Sequence, residues 1–214
     1  MSAHGHPMGF VPRPAIVWGL PMGMKFRYQD GCVICTGEQF HVSVLSEVSP
    51  IMIIRAETSD DVARVRHVVL SAFGQADEAD LVAALQASGD VEIALVAMHG
   101  DQLVGHILFS KLAAPAGCLG LAPVSVLPEF QNQGIGGALI RDGLDIATRK
   151  GWQAVFLLGE PAYYERFGFT VAAAHKFGTI YPKPYVMGLE LTSGALDALD
   201  GALTYAQPFL DLES

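Results

Sequence analysis

The chain has 214 residues, of which 51% are hydrophobic, and its formal net charge is −9. A chain of this length and hydropathy can bury the core of one domain, with or without an extension, which argues against bulk disorder. The acidic balance argues against nonspecific binding to nucleic acid, and no apolar run approaches the roughly 20 residues of a membrane span. We therefore expect a cytoplasmic protein that binds neither nucleic acid nor a membrane.

Residues 1–51 differ in composition from the rest of the chain. They are rich in Pro, Gly, His and Met and show no sustained hydrophobic period, whereas a regular pattern begins at Met52. We expect an N-terminal extension over 1–51, which is disordered or lies upstream of a true start at Met52, and one domain over 52–214. Prolines interrupt any apolar region of a secretory signal at Pro7, Pro12, Pro14 and Pro21.

The cysteines do not form a recognisable metal or disulfide framework. Cys32-Val-Ile-Cys35, with His41 nearby, supplies only part of the four ligands that a zinc site needs. An odd number of cysteines argues against a disulfide framework. We therefore predict no metal site, and we expect Cys118, which begins an apolar run, to be a small buried hydrophobe.

Two helices follow a short strand at Ile53–Ala56. The first has a cluster of N-cap residues at Thr58–Asp61 and ends at Phe73–Gly74. The second begins at the acidic residues Asp77–Asp80 and is closed by Gly89. We interpret these acids as a solvated helix start, with the binding of a cationic substrate as the alternative.

The rest of the chain is predicted to form mainly strands, separated by a long helix and a short one. A hairpin comes first, and the long helix opens at Gly134 after a third strand. A buried parallel strand and a helix with Pro161 at its first position follow. The predicted strands are Val91–Ala97, Gln102–Leu112, Leu119–Leu127, Ala154–Leu158, Phe169–Ala173 and Tyr185–Leu191, with a small strand at Ala202–Ala206.

A glycine-rich turn joins the strand Leu119–Leu127 to the long helix. Gly134 and Gly136 stand at the helix start, where four backbone N–H groups lack intrahelical partners. Together with the helix dipole, these groups form a site for an anion, typically a phosphate. A β-carbon at either glycine would obstruct that approach. The alternative is that the glycines only make a tight turn and a close helix–sheet contact.

Three phosphate-binding patterns compete for this turn. The P-loop is excluded, because no Gly-Lys-Ser/Thr follows. The dinucleotide fingerprint fits two of its three glycines, since Leu139 occupies the third position, although Glu160 lies where a ribose-binding acid is expected. The third pattern, Gln/Arg-x-x-Gly-x-Gly/Ala, is matched at every defined position by Gln131–Gly136, after the lead-in Val126–Glu129.

This turn resembles the acetyl-CoA pyrophosphate loop of the GNAT superfamily of N-acetyltransferases. The segment Pro161–Phe169 also resembles the family's helix and strand that end in Tyr-x-x-x-Gly-Phe, and both motifs stand in the family's order and spacing. The likeness covers about 53–191. It is nearest to the bacterial predicted acetyltransferases that carry Pro-x-Tyr-Tyr-x-Arg-Phe-Gly-Phe.

The resemblance implies a fold and an activity. The implied fold class is α/β (α+β), with a central twisted mixed sheet flanked by helices. The implied activity is transfer of the acetyl group of acetyl-CoA to a primary amine by direct attack, in a monomer or a homodimer. Two alternatives stay open, namely a non-catalytic GNAT domain that senses CoA or an amine, and a dinucleotide-binding redox domain.

The resemblance also implies which residues bind acetyl-CoA. The pantetheine arm would pair with Val124 and Val126, and a nearby N–H would face the thioester oxygen. The pyrophosphate would be held by the glycine turn, which consists of Gln131, Asn132, Gln133, Gly134, Ile135, Gly136 and Gly137.

For the chemistry, the resemblance implies Tyr164 as the general acid. A phenol with an ordinary pKa of about 10 is protonated at neutral pH and can donate to a thiolate of pKa about 8.5. Tyr163 is expected to pack against the sheet. The base is open: Glu160, just beyond a strand end, is one candidate and His106 is another, and Ser125 could position a water.

Overall fold

The computed structural model describes residues 26–29, 32–35 and 51–211. The chain divides into two compact units, Met1–Val48 and Ser49–Ser214. In the first unit, β1 (Phe26–Gln29) and β2 (Cys32–Cys35) pair as an antiparallel hairpin, an element that the composition of 1–51 did not predict. Most of the predicted N-terminal extension lies outside the described residues, and so does His41.

The two cysteines of the Cys-x-x-Cys segment are the first and last residues of β2.

The second unit is built on a six-stranded sheet in the order β3-β4-β5-β6-β7-β8. Neighbouring strands are antiparallel except for β6 and β7, which are parallel. A mixed sheet of this kind was predicted, and the prediction is confirmed. The strands are β3 (Met52–Ala56), β4 (Val91–His99), β5 (Gln102–Lys111), β6 (Cys118–Val126), β7 (Ala154–Leu158) and β8 (Val186–Glu190).

Three long helices and three short ones surround the sheet in the part of the chain from 51 to 211. They are α1 (Val62–Phe73), α2 (Asp77–Ser88), α3 (Ile135–Arg149), α4 (Pro161–Tyr164), α5 (Val171–Ala174) and α6 (Gln207–Asp211). As predicted, α1 and α2 end at the left-handed glycines Gly74 and Gly89. Among these described helices, none is long and apolar enough to cross a membrane.

The start of α1 is organised by a buried carboxylate. Asp61 is fully buried and accepts hydrogen bonds from the backbone N–H and the hydroxyl of Thr58 at 2.9 and 2.8 Å. Its carboxylate also forms a two-pronged ion pair with Arg55 of β3 at 2.6 and 2.9 Å. This hydrogen-bonded guanidinium holds the pKa of Asp61 well below its usual range. The N-cap cluster therefore ties α1 to the edge of the sheet.

The helices form a layer on each face of the sheet. A β-carbon at Gly105 of β5 would contact Leu139 and Ile135 of α3, so this face of β5 carries α3. Gly143 of α3 lies directly against the ring of Phe109, where a β-carbon would overlap the ring. α1 also contacts β5 and β6, and we place α1 and α2 on the opposite face.

Two of the predicted C-terminal strands are wrong. Residues 171–173 of the predicted strand Phe169–Ala173 belong to α5, because Thr170 caps the turn by accepting from the N–H of Ala173 and alanines favour a helix. The predicted strand at 202–206 is reduced to two isolated bridges, Ala202 with Gly178 and Thr204 with Ala114.

Candidate functional site

The parallel strands β6 and β7 separate and leave an opening between them. Their pairing stops at Gly120 and Phe156, although both strands continue. On its other side β6 carries a bulge, since Leu121 pairs with Phe109 while Val124 pairs with Ile107. The extra residue bends the strand. The bend and the lost pairing create a cleft at the carboxyl ends of the two strands.

The backbone of β6 directs hydrogen-bonding groups into this opening. Leu127 donates its N–H to Val104 of β5 at 2.9 Å. Because backbone groups alternate along a strand, those of Val124 and Val126 point away from β5. In agreement, the carbonyl of Val126 accepts from the side chain of Gln131 at 3.0 Å. The two residues predicted to pair with pantetheine thus present their N–H groups at the cleft.

The glycine turn lies at the mouth of the same cleft. Gly134 is the N-cap of α3 with φ of 85°, and Asn132 also has a positive φ of 59°. In the part of the chain that the structure describes, no side chain caps α3. The side chain of Gln133 instead donates to the carbonyl of Glu129 at 3.1 Å and supports the turn itself. The first N–H groups of α3 are therefore available to an anion.

Two arginines flank a cavity of about 350 Å³ beside the glycine turn. Arg141 of α3 lies over the ring of Phe167 at 5.2 Å, and Arg166 lies over the ring of Tyr163 at 4.7 Å. Their guanidinium groups and the helix start give this acidic protein a local positive site. The cavity is lined by Asn132, Gly134, Gly137, Arg141, Tyr163, Arg166 and Phe167.

The adjacent tyrosines of α4 occupy different environments. The hydroxyl of Tyr163 lies beside Gly136, and a β-carbon on Gly136 would also contact methyl groups of Val126 and Val124 at the cleft. The ring of Tyr164 packs against Gly159 and 6.1 Å from the ring of Phe169. Burial, together with the neighbouring Tyr163, raises the pKa of Tyr164 to about 12. Tyr164 thus keeps its proton at neutral pH, as a general acid must.

Glu160, the candidate base, is exposed just beyond the end of β7. It is the N-cap of α4, and its carbonyl accepts from the N–H groups of Tyr163 and Tyr164 at 3.0 and 3.2 Å. The residue therefore anchors the tyrosine helix through its backbone and leaves its carboxylate in solvent.

His106 has a charged partner that the sequence interpretation missed. The ring is fully buried, and its Nε2 lies 3.0 Å from Oε2 of Glu57. Ser125, the paired residue on β6, is buried as well, with its hydroxyl 3.5 Å from the carbonyl of His106. Glu57 could have been singled out in the sequence because it is an acidic residue that stands directly between the predicted strand, which ends at Ala56, and the helix cap, which begins at Thr58.

The acidic start of α2 is engaged at the surface. Asp80 forms an ion pair with Arg66 of α1 at 2.7 Å, and Glu78 accepts from the side chain of Gln75 at 3.1 Å. Such exposed pairs contribute little to stability. These contacts agree with the interpretation of a solvated helix start.

The dinucleotide-binding alternative does not fit the topology. A doubly wound dinucleotide fold is built on an open, mostly parallel sheet. Here β6 and β7 form the one parallel pair among the described strands. The glycine turn therefore follows a strand of a different architecture.

Comparison with known proteins gives a consistent result. The model of the acetyltransferase (GNAT) family matches residues 62–169. The uncharacterized N-acetyltransferase YjhQ of Escherichia coli K12 is 41% identical over an alignment of 133 residues, which covers 58% of this chain and 71% of that protein. The uncharacterized N-acetyltransferase YhbS of the same strain is 32% identical over an alignment of 164 residues, which covers 74% of this chain and 98% of the relative.

Solved structures agree. The crystal structure of YhbS from Escherichia coli in complex with CoA has a TM-score of 0.72 and 30% identity, and covers 75% of this chain and 93% of its own. A GNAT family acetyltransferase from Brucella melitensis in complex with acetyl-CoA has a TM-score of 0.64 and 36% identity, and covers 74% of this chain and 98% of its own. The chain belongs to the acetyltransferase (GNAT) family.

Proposed function

We propose that the protein is an N-acetyltransferase that moves the acetyl group of acetyl-CoA to a primary amine by direct attack. The observation that carries the proposal is the continuity of the cleft between β6 and β7 with the uncapped start of α3. One long ligand could occupy the two places together, with a phosphate at the start of α3 and an amide-bearing arm in the cleft between β6 and β7. The relatives crystallised with CoA and with acetyl-CoA support this choice of ligand.

In this proposal the ligand is held mainly by backbone groups. The pyrophosphate lies on the N–H groups of Gly134–Gly137, with the guanidinium groups of Arg141 and Arg166 beside it. The pantetheine arm extends the sheet as a short strand alongside Val124 and Val126. An N–H in this stretch of β6 faces the thioester oxygen and stabilises the negative charge that develops there.

Proton transfer completes the reaction. The amine nitrogen attacks the thioester carbon, and Tyr164 donates its proton to the departing thiolate. The raised pKa of Tyr164, about 12, keeps the donor protonated until the thiolate forms. The exposed Glu160 is one candidate for taking the amine proton through water, and the buried His106 is the other. A cytoplasmic location and a monomeric or dimeric state belong to the same proposal.

The acceptor amine enters from the open ends of β6 and β7. Leu158, the last residue of β7, is 47% exposed, and so is Tyr185, whose carbonyl accepts from the N–H of Gly159. These apolar surfaces border the path and fit an amine that carries an aliphatic or aromatic group. The amine belongs to a small molecule or to a protein.

An assay of CoA release distinguishes an enzyme from a sensor. The purified protein is incubated with acetyl-CoA and a panel of amines that comprises a polyamine, an aromatic amine, an amino acid and a lysine-bearing peptide. Isothermal titration with acetyl-CoA runs in parallel. Binding together with release above the amine-free rate is expected. Binding without release for every amine would favour the sensor, and absence of binding would refute both.

A further inference from the structure

A buried carboxylate–imidazole pair lies behind the cleft. Glu57 follows β3, and its backbone N–H donates to the carbonyl of Ala94 at 3.0 Å, which fixes its place at the sheet edge. Its Oε2 lies 3.0 Å from Nε2 of His106, and its Oε1 accepts from the side-chain amide of Gln86 at 2.6 Å. The side chain of Glu57 is only 6% exposed and that of His106 is fully buried.

The other ring nitrogen of His106 is not used in this arrangement. Nδ1 is buried and has no hydrogen-bond partner among the residues that the structure describes. Because Nε2 faces a carboxylate, the neutral ring carries its proton on Nε2, and Nδ1 offers a lone pair. A carboxylate that orients an imidazole and stabilises its cationic form is the arrangement found in catalytic triads.

The pair stands one strand away from the cleft, on the face opposite α3. Gly105 faces α3, so the neighbouring His106 faces the layer of α1 and α2. Across the ladder, His106 is the partner of Ser125. Ser125 lies between Val124 and Val126, the two residues whose N–H groups point into the cleft.

Among the residues that the structure describes, Glu57 is the charged group that contacts the ring. The segment after β3 supplies Glu57, α2 supplies Gln86, β6 supplies Ser125, and β4 supplies the paired residue Val96. The part of α1 that packs on the sheet consists of buried valines, Val65, Val68 and Val69. A proton that arrives at His106 is therefore balanced by Glu57.

We propose that His106, held by Glu57, takes the proton that the acceptor amine releases, relayed from the cleft by water. The proposal rests on the proposed N-acetyltransferase activity and names its base. The ammonium form of the amine passes a proton to Nδ1 of His106, and the neutral nitrogen then forms the C–N bond as the C–S bond breaks. The second proton lost by nitrogen replaces the one that Tyr164 gives to sulfur, and His106 later releases its proton to solvent.

The first test follows the His106 ring itself by ¹⁵N NMR of histidine-labelled protein saturated with acetyl-CoA. The His106→Gln variant identifies the signal. The expected result is a neutral ring that carries its proton on Nε2 and keeps a lone pair on Nδ1. In Glu57→Gln this tautomer preference should weaken, because Nε2 no longer faces a carboxylate. A wild-type neutral ring protonated on Nδ1 overturns the proposal, because Nδ1 then has no lone pair for the incoming proton.

The second test compares pH–rate profiles. In His106→Gln the new side-chain amide can still donate to Glu57, which preserves the buried hydrogen bond, but it cannot accept a proton at neutral pH. We expect kcat/KM for the best amine of the panel to fall by about 10²–10⁴-fold, with loss of the acid limb of the profile and unchanged affinity for acetyl-CoA. The matched control is His67→Gln, since His67 is exposed on α1.

The outcomes separate the two proposals. A His106→Gln variant that keeps the wild-type acid limb and rate refutes the relay and leaves the N-acetyltransferase activity in place. If the wild type acetylates no amine, the proposed activity fails. In that case the wild type and His106→Gln are compared by their rates of hydrolysis of bound acetyl-CoA, in which water attacks the thioester in place of the amine. Equal hydrolysis by wild type and His106→Gln would then refute the relay.

Discussion

The hydroxyl oxygen of Tyr163 lies 3.3 Å from the position that a β-carbon on Gly136 would occupy. The same β-carbon would lie 3.7 Å from a methyl group of Val126. The start of α3, the tyrosine helix and β6 therefore meet at a single residue without a side chain. Gly136 is therefore consistent with a phosphate site and with a purely structural turn, because the missing side chain allows close packing and also leaves the backbone N–H open to a phosphate.

We predict that Gly136→Val abolishes binding of acetyl-CoA while the protein remains folded. The added methyl groups occupy the approach to the N–H groups at the helix start. Isothermal titration measures the affinity, and circular dichroism checks the fold. A folded variant with wild-type affinity would show that the turn does not bind the cofactor.

A second variant pair separates phosphate approach from packing. Gly136→Ala is compared with the double variant Gly136→Ala/Tyr163→Phe, in which the crowding hydroxyl is removed. If phosphate approach is the reason for the glycine, we expect both to bind acetyl-CoA at least tenfold more weakly than the wild type. Recovery of affinity in the double variant would indicate a packing role alone.

We predict that Tyr164→Phe lowers kcat by about 10²–10⁴-fold with little change in the affinity for acetyl-CoA. The substitution removes the acid and keeps the ring that packs near Phe169. Tyr163→Phe is the matched control and should have a smaller effect on kcat. The rate of the chemical step is measured in single turnover, so that product release does not mask it. A wild-type rate in Tyr164→Phe would show that another group is the general acid.

The raised pKa of Tyr164 also predicts a loss of stability in alkali. The folded protein holds the phenolic proton more tightly than the unfolded chain, whose tyrosines titrate near pH 10. This stabilisation is complete below pH 10 and is lost as the pH rises through the folded value of about 12. Between pH 8 and 11 the wild type should lose about 1 kcal/mol more unfolding free energy than Tyr164→Phe. Equal losses in urea titrations would contradict the assignment.

We predict that Arg141→Gln weakens the binding of acetyl-CoA about tenfold, because a charge-assisted contact with phosphate is lost. Arg149→Gln is the control on the same helix, since Arg149 is exposed at the far end of α3 and pairs with Asp145 at 2.6 Å. The weakening should diminish as salt is added. Equal affinities of the two variants would exclude Arg141 from the phosphate site.

We predict that a chain beginning at Met52 folds and keeps its acetyl-CoA affinity. The motivation is the change of composition at that point, and the boundary between the two compact units falls nearby, at 48/49. Circular dichroism and isothermal titration provide the readouts. Insoluble protein, or folded protein that does not bind, would show that residues before Met52 complete the domain.

Local signals in the sequence were sufficient for much of the fold. The glycines that end α1 and α2 and the strand–turn–helix unit around Gly134 were predicted, because capping and turn chemistry are determined by adjacent residues. The strand at Phe169–Ala173 was wrong for a related reason, since a short apolar run fits either structure and the cap at Thr170 decides in favour of the helix.

Long-range geometry was the part that the sequence did not reveal. Glu57 and His106 are 49 positions apart, and their pairing depends on how β3, β4 and β5 are aligned in the sheet. The position of the Tyr163 hydroxyl beside Gly136 likewise depends on the packing of α4 against α3. Pattern and spacing describe one element at a time, whereas these contacts join elements that are distant in the chain.

The contact between Gly143 and Phe109 has a consequence for ligand capture. The ring fills a notch at the middle of α3, so the helix can neither slide nor roll on the sheet without a clash. Its N-terminus is thereby held at a fixed distance from the cleft before any ligand arrives. Because α3 is already ordered before a ligand binds, the entropy cost of ordering it belongs to folding and does not reduce the affinity for the ligand.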